Sequence, residues 1–491
     1  MRRFTGKRTT SGLLALALAL ALALAPLLTA AEAGVAAAAP ATSVRGAAAA
    51  GAGTTASTVY TETNDADGNQ VAAYRRGADG TLSLMAKYAT GGAGSGEFEN
   101  TDTMVVVGSA VGESSPVDLG GGSDLLFVAD AGSDDIAVFR IASDGSLNLV
   151  GRTPTGQERP TSLTVRNGLV YVMNSAGDSL PGASFCFGGE PTITGFRVTE
   201  FGALTPIADS TRQLPGGPGA GCTQIQFDPT GKTLVVSQFG FNVITTFALS
   251  SDGTPGSPIV NQPAGKGPFG LNFDARGRLL TTDDFEAKLG QGATVSYTIG
   301  SDSRLTPIGG VVSNGQTDTC WIVHTPDNQL AFASSFGPEP FLSASATDRH
   351  GAISSYRIND NGTLSLIEGT AASLPVGAAD LAVGGGGRDL YVLNTVTGEV
   401  LGYQIGSTGS LTPTSTVGGL PAKSGGQSGG LAVRDTAAAT SSPVPSGGPN
   451  TGAGGTAAGR PTGDLVGGIA AFAAALIVGA AVLRRRKTNM R

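Results

Sequence analysis

The side chains best able to do chemistry are scattered acids and a few bases: Asp118, Glu158, Arg159, Asp283, Asp284, Asp318, Arg349, His350 and Asp380. Carboxylates brought together can ligate Ca²⁺ through oxygen, or one of them can take a proton from an attacking water. Arg159 can steady an anion, or it can pair with Glu158 at the surface. Of the two histidines, His350 stands beside Arg349 in a loop, whereas His324 lies inside a strand pattern and reads as a satisfied core residue. The catalytic candidates are therefore Arg159, Asp283 and His350. Asp118, Glu158, Asp284, Asp318, Arg349 and Asp380 make up a binding face. The sequence has no Gly-x-Ser-x-Gly elbow, no His-Glu-x-x-His and no Walker loop.

Cys186, Cys222 and Cys320 are the only cysteines. Cys186 sits in a long insertion, and Cys222 opens the strand that follows it, so a Cys186–Cys222 disulfide is geometrically plausible and would pin that insertion. A Cys186–Cys320 bridge and no bridge are the alternatives. The spacing does not suit zinc.

The elements that must position these groups are short strands joined by tight turns. Leu125–Gly168 shows the unit: an apolar strand (LLFVAD), an alternating one (DDIAVFRI), an Asp-Gly turn into a third, then a fourth opening at Pro160. Asp-Gly readily takes the positive-φ geometry of a hairpin turn. Seven such turns can be counted, at Asp79, Asp144, Phe201, Asp252, Asp302, Asn361 and Thr408; the fourth lacks its Leu and the fifth its Gly. A second landmark, a six-residue strand with an aliphatic fourth place, also occurs seven times. It reads PVDLGG from Pro116, PTSLTV, CTQIQF, PFGLNF, CWIVHT, AADLAV and SGGLAV. Fixed-period four-stranded units without helices predict an all-β, seven-bladed β-propeller over residues 58–435. The first unit lacks an inner strand and SGGLAV lacks its blade. Ser428–Val433 is therefore expected to pair beside Val59-Tyr60-Thr61 and close the ring, leaving no open edge. Three long insertions, Ser175–Pro191, Asp283–Ala293 and Ser335–Ala352, should then gather with the inner-strand starts at one mouth.

The repeated Pro-x-x-Leu, Asp-x-x-Gly and Leu-x-Val-x-Asn elements stand here as PTSLTVRNGLVYVMN, CTQIQFDPTGKTLVVSQ and LYVLNTVTGEVLGYQIGSTGSLTP. They resemble the lactonase-type seven-bladed propeller family, which includes 6-phosphogluconolactonases and muconate-cyclising relatives. The resemblance implies the fold and, as an expectation, hydrolysis of a small lactone or sugar-derived ring, with a mouth carboxylate as general base. The alternative is a non-enzymatic propeller that binds a glycan or protein partner. Ca²⁺ is the one candidate cofactor, and the ring is expected to be a monomer.

The chain ends set the compartment. Residues 1–33 read as a signal peptide: a basic start, a Leu/Ala run, and Ala31-Glu32-Ala33 as the cleavage site. Residues 34–57 are an Ala/Gly-rich lead-in and residues 436–463 a Pro/Gly/Ser/Thr-rich linker. Residues 464–483 form an apolar run long enough to span a bilayer as a helix, and the basic 484–491 tail places that end inside. Gly448-Pro449-Asn450-Thr451-Gly452 resembles the Leu-Pro-x-Thr-Gly motif of sortase-processed wall proteins, with Gly in place of Leu. Covalent attachment through Thr451, before Gly452, and plain membrane anchoring both remain open. Export and surface anchoring are thus expected. The formal charge is −7. Leader and tail carry nine of the 31 bases but only Glu32 and Asp464 among the 38 acids, so the exported body is more acidic still. That excludes nucleic acid as a partner, since phosphate binding needs a basic surface.

Overall fold

The computed structural model describes residues 56–109, 124–177, 183–184, 186–199, 201–338, 350–423 and 426–436. They form seven antiparallel sheets around a ring. Blade 1 orders Leu82–Ala89, Gln70–Arg76, Ala56–Glu62 and Gly429–Thr436 from outside to inside. Blades 2 to 7 start at their inner strands, Val105–Ser109, Pro160–Arg166, Cys222–Phe227, Pro268–Phe273, Thr319–His324 and Ala378–Gly384. Each then runs outward through three more strands, the outermost of blades 3 and 5 being split in two. The clasp is as expected: Val59 faces Val433 and Tyr60 faces Ala432. Ala56 pairs with Thr436 at the end of the clasp away from the mouth, while Glu62 and Gly429 lie at the mouth.

One inner strand differs from expectation. Blade 2 uses Val105–Ser109, not the segment from Pro116. DTMVVV from Asp102 has the same aliphatic fourth place (Val105), and its valine run suits a strand buried on both faces better than PVDLGG, whose glycines weaken a strand interior. Pro116 and Asp118 lie outside the described residues.

Apolar side chains from facing blades fill the seams. Tyr60, Val71 and Ala432 of blade 1 pack with Val105, Leu126 and Val128 of blade 2, and Leu125, Phe127 and Val138 pack with Leu163, Val165 and Val172 of blade 3. Hydrogen bonds set the register of these seams. A polar side chain at the third place of an inner strand accepts from the backbone N–H of the next strand's fourth residue. Ser162 accepts from Ile225 at 3.0 Å, Gln224 from Leu271, and Asp380 from Leu431 at 2.9 Å. The last of these ties blade 7 to the clasp strand.

The Asp-Gly turns do more than reverse the chain. Tyr60 donates to the Gly145 carbonyl at 2.8 Å and Tyr171 to that of Gly253 at 2.5 Å, each from the preceding blade. Thr246 and Ser296 do the same to Ser303 and Gly362, at 2.6 and 2.7 Å. The turn glycine is pressed against its neighbour: a Cβ on Gly145, whose φ is +85°, would lie 2.2 Å from Thr58 Oγ1. Where blade 5 lacks the glycine, Ser303 takes φ 61° and its hydroxyl bonds Thr233 at 3.0 Å.

No helix among the described residues is long and apolar enough to cross a membrane. The expected signal, span and tail, with Thr451 and Gly452, lie outside them, as do the lead-in and linker except Ala56, Ser57 and Thr436, which belong to the clasp strands.

Gly277 also has positive φ, but a Cβ there meets nothing within 4 Å. Gly145→Ala is therefore expected to lower stability by about 2–3 kcal/mol, and Gly277→Ala by only about 1 kcal/mol, the conformational cost alone. Urea titration of both variants checks this; equal losses would mean that the turn does not dock on the next blade.

Candidate functional site

The mouth is the end of the ring where second strands finish and inner strands begin. The three long insertions do fall between second and third strands at this end. Every second strand ends on a buried polar residue: Glu62, Asp130, Asn174, Gln238, Asp283, Ser335 and Asn394. Two of the amides cap the chain returning from the outer strand: Gln238 Nε2 donates to Pro215 O at 2.6 Å and Asn394 Nδ2 to Pro375 O at 3.0 Å. Asp283 occupies the same place with no exposure, and its Oδ2 lies over Gly265, where a Cβ would be 2.0 Å away. Burial pushes its pKa up to about 8. A neutral carboxyl, like the amides, has a proton to donate. Asp130 is raised to about 7, mainly by burial, against hydrogen bonds from Thr90 and Asn69. Asn69 also donates to Glu62 at 2.6 Å, and burial holds Glu62 well above the usual carboxylate range.

In blades 3 to 7 the residue just before the inner strand forms a second layer. Its carbonyl accepts from the residue that follows the second strand: Arg159 from Ser175, Gly221 from Phe239, Gly267 from Asp284, Asp318 from Phe336 and Gly377 from Thr395. All five donors and acceptors meet because the backbone there is left-handed, with φ between 57° and 110°. Three blades use glycine. Arg159 and Asp318 carry side chains in this conformation, at a cost on the order of 1 kcal/mol each.

Arg159 does not pair with Glu158, which is exposed. Its guanidinium reaches Glu99 at 2.7 Å and Glu97 at 3.1 Å. Asp318 is half-buried, and the Cys320 thiol donates to its Oδ1 at 3.1 Å. Burial pushes Asp318 up to about 6, and that hydrogen bond holds it from going further. Asp284, buried beside it, is held well above the usual range, first by burial and then by the charge of Asp318. Asp283, Asp284 and Asp318 are thus brought together, but as desolvated carboxyls rather than a solvated rim. Asp380 is one of the seam staples, and its carboxyl also shares a hydrogen bond with that of Asp102. Burial, then the charge of Asp380, keeps the proton on Asp102.

His350 is exposed at the start of a third strand in blade 6, and Asp118 and Arg349 lie outside the described residues. His324 is half-buried on its inner strand, bonded through Nδ1 to Asn272, with its pKa lowered to about 4 by burial. Among the described residues no three acids, histidines or cysteines are placed to hold a metal ion.

Sequence reasoning missed the segment Glu97–Met104, a strap that crosses the ring axis. Phe98 and Glu99 pair in parallel with Ala183 and Ser184 of the first insertion. Thr101 donates to Thr161 O at 2.8 Å and its carbonyl accepts from Trp321 Nε1 at 3.2 Å. Asp102 N–H bonds Thr223 O at 3.0 Å. One short segment therefore touches blades 3 to 7. Phe98 packs with Phe269, Cys320, Trp321, Phe336 and Ala379 in an apolar cluster at the axis. Burying that ring contributes roughly 2–3 kcal/mol. The Cys186–Cys222 disulfide forms as expected, with Cα atoms 5.4 Å apart, and pins the insertion that holds the strap. Cys320 keeps its thiol.

No protein-family model matches the sequence, and no curated protein is significantly similar to it. Solved structures do share the fold. Two proteins provisionally assigned as 6-phosphogluconolactonases are from Bacteroides fragilis and Bacteroides uniformis. The first is 15% identical, with 77% of this chain and 98% of that one covered and a TM-score of 0.55. The second is 17% identical, with 78% and 100% covered and a TM-score of 0.56. The periplasmic gluconolactonase of Pseudomonas aeruginosa is 13% identical, with 77% and 99% covered and a TM-score of 0.55. At such identities the likeness is one of fold: this chain shares the seven-bladed propeller of these proteins.

The raised carboxyls tie stability to pH. A carboxyl whose folded pKa exceeds its unfolded one, near 4, favours folding most when both states are protonated, and that contribution is lost as pH rises through the folded value. With Asp318 near 6, Asp130 near 7 and Asp283 near 8, the melting temperature is expected to fall from pH 5 to pH 9. Asp283→Asn should flatten the upper part of that slope and melt higher than the parent at pH 9. Calorimetry across this range checks both.

Proposed function

We propose that this propeller hydrolyses a small lactone at the mouth, with Asp318 as general base and Asp284 as the proton donor. The observation that carries the reading is the pair itself. Asp318, half-buried and poised near 6, stands beside a buried carboxyl whose proton it helps retain. Two carboxyls pushed apart by their surroundings are suited to opposite roles in one reaction. Near neutral pH the ionised Asp318 takes a proton from water as the oxygen attacks the lactone carbonyl. The ring C–O bond then breaks, and the leaving oxygen takes the proton of Asp284. The product is the open hydroxy acid, and proton return from Asp318 to Asp284 restores the pair.

The leader, linker, apolar run and basic tail support export and retention at the cell surface, with the substrate outside the cell. A second reading, a binding propeller for a glycan or protein, is favoured by the strap, which fills the axis.

A panel of lactones incubated with the purified protein tests the chemistry. Turnover is expected, with kcat/KM rising through about pH 6 and falling again where Asp284 ionises. Asp318→Asn should lower kcat about 10²–10⁴-fold with the melting curve preserved. No turnover by the parent protein would leave the binding reading. For anchoring, cell fractionation decides: release by detergent alone means a membrane span, and retention in the wall until it is digested means linkage through Thr451.

A further inference from the structure

The mouth contains a buried apolar cluster that the proposed chemistry does not use. Phe239, Phe269, Trp321 and Phe336 form an arc around the axis, with successive ring centroids 6.1, 5.2 and 6.5 Å apart. They come from blades 4, 5 and 6, at the starts of inner strands or just beyond the ends of second strands. This arc is not the seam packing seen elsewhere in the ring. The ring that completes it, Phe98, belongs to no blade. It is carried in by the strap and lies 5.4 Å from Phe336.

We infer that Glu97–Met104 is a lid, and that Phe98 occupies an aromatic-lined axial slot which takes the apolar ring of the substrate. This deepens the lactone reading and rests on it. The substrate class is then a lactone fused to, or bearing, an aryl or similarly apolar group, rather than a polyhydroxylated sugar lactone. Three observations support the step. First, the slot adjoins the proposed chemistry, because Cys320 belongs to the same apolar cluster and its thiol bonds Asp318. A ring in place of Phe98 therefore leaves its polar end beside Asp318 and Asp284. Second, apart from the buried Phe98 and Met104 the strap is held by polar contacts, side-chain bonds of Glu99, Thr101, Asp102 and Thr103 among them. They include the Arg159 ion pairs to Glu97 and Glu99, the two-residue pairing with Ala183 and Ser184, and the bonds of Thr101 and Asp102. Phe98 is its one aromatic anchor. Third, an apolar void left by such a side chain stays dry and accepts an aromatic guest of similar size, whereas hydroxyl groups placed there would lose their hydrogen bonds.

Trp321 is the only tryptophan in the chain and donates to the strap at Thr101 O, so its fluorescence reports on the slot directly. The test compares dihydrocoumarin, an aryl-fused lactone, with δ-gluconolactone. Binding to the full ring is followed by calorimetry and by Trp321 emission. Phe98→Ala is expected to bind dihydrocoumarin roughly ten-fold more tightly than the parent, with a change in Trp321 emission. Phe98→Leu should gain less, and δ-gluconolactone should show no such gain. If Phe98→Ala fails to fold, Phe98→Leu and the response of Trp321 in the parent protein to saturating dihydrocoumarin carry the test. Folded variants with unchanged affinity for dihydrocoumarin would overturn the slot. So would an equal gain for δ-gluconolactone, or a silent Trp321 in the parent. The two readings fail separately. Dihydrocoumarin bound but never opened removes the chemistry and keeps the slot; hydrolysis of δ-gluconolactone alone keeps the chemistry and removes the slot.

Discussion

The structure depends on the contact between successive inner strands. Seven sheets can close a ring only if each presents its inner edge to the next at a fixed height. A polar side chain on one strand, bonded to the backbone of the next, sets that height. Ser162, Gln224 and Asp380 do this in three seams, while valine, leucine and tyrosine side chains fill the space further out. The outer rim repeats the logic through hydroxyl bonds to turn carbonyls. Neither bond type is strong alone, at about 1 kcal/mol each. Repeated around a closed circle they leave no blade free to slide.

That constraint also explains why the mouth is rich in buried acids. Where strands converge there is little room and little water, so any polar group must be matched from nearby. Amides manage this readily, as Gln238 and Asn394 show. Asp130 and Glu62 share Asn69, and Asp283, whose oxygens meet no hydrogen-bond partner among the described residues, keeps its proton instead. Asp318 differs because it is half-buried and holds a backbone conformation that glycine supplies in three other blades. The same crowding that stabilises the ring thus raises this half-buried carboxyl to about 6.

Much of the fold was legible because the two landmarks are independent: turn chemistry and strand pattern both count seven, and the missing inner strand announces the clasp. The Cys186–Cys222 pairing followed from the same placement. The blade 2 inner strand was misplaced because PVDLGG and DTMVVV both satisfy the aliphatic fourth place, and the pairing with Asp124–Asp130 selects the second. The candidate acids were legible as residues but not as environments. Asp380 reads as a mouth acid, and only the neighbouring strand reveals it as a seam staple. Arg159 stands next to Glu158 in sequence, yet a left-handed backbone turns it toward Glu97 and Glu99. The strap had no signal, since Glu97–Thr101 has neither period nor motif. The polar residue closing each second strand was visible in LLFVAD, LVYVMN and TLVVSQ, and its recurrence was the clue to the buried layer.

The clasp has a mechanical consequence. Gly429–Thr436 runs from the mouth to the far side of the ring, so a load applied beyond Thr436 acts along the strand. Antiparallel ladder bonds lie perpendicular to their strands. Such a load therefore strains the bonds to Ala56–Glu62 together, in shear, along with the Leu431 staple to Asp380, rather than peeling them one by one. A ring held from that side and gripped at its mouth resists extraction with the whole seam at once.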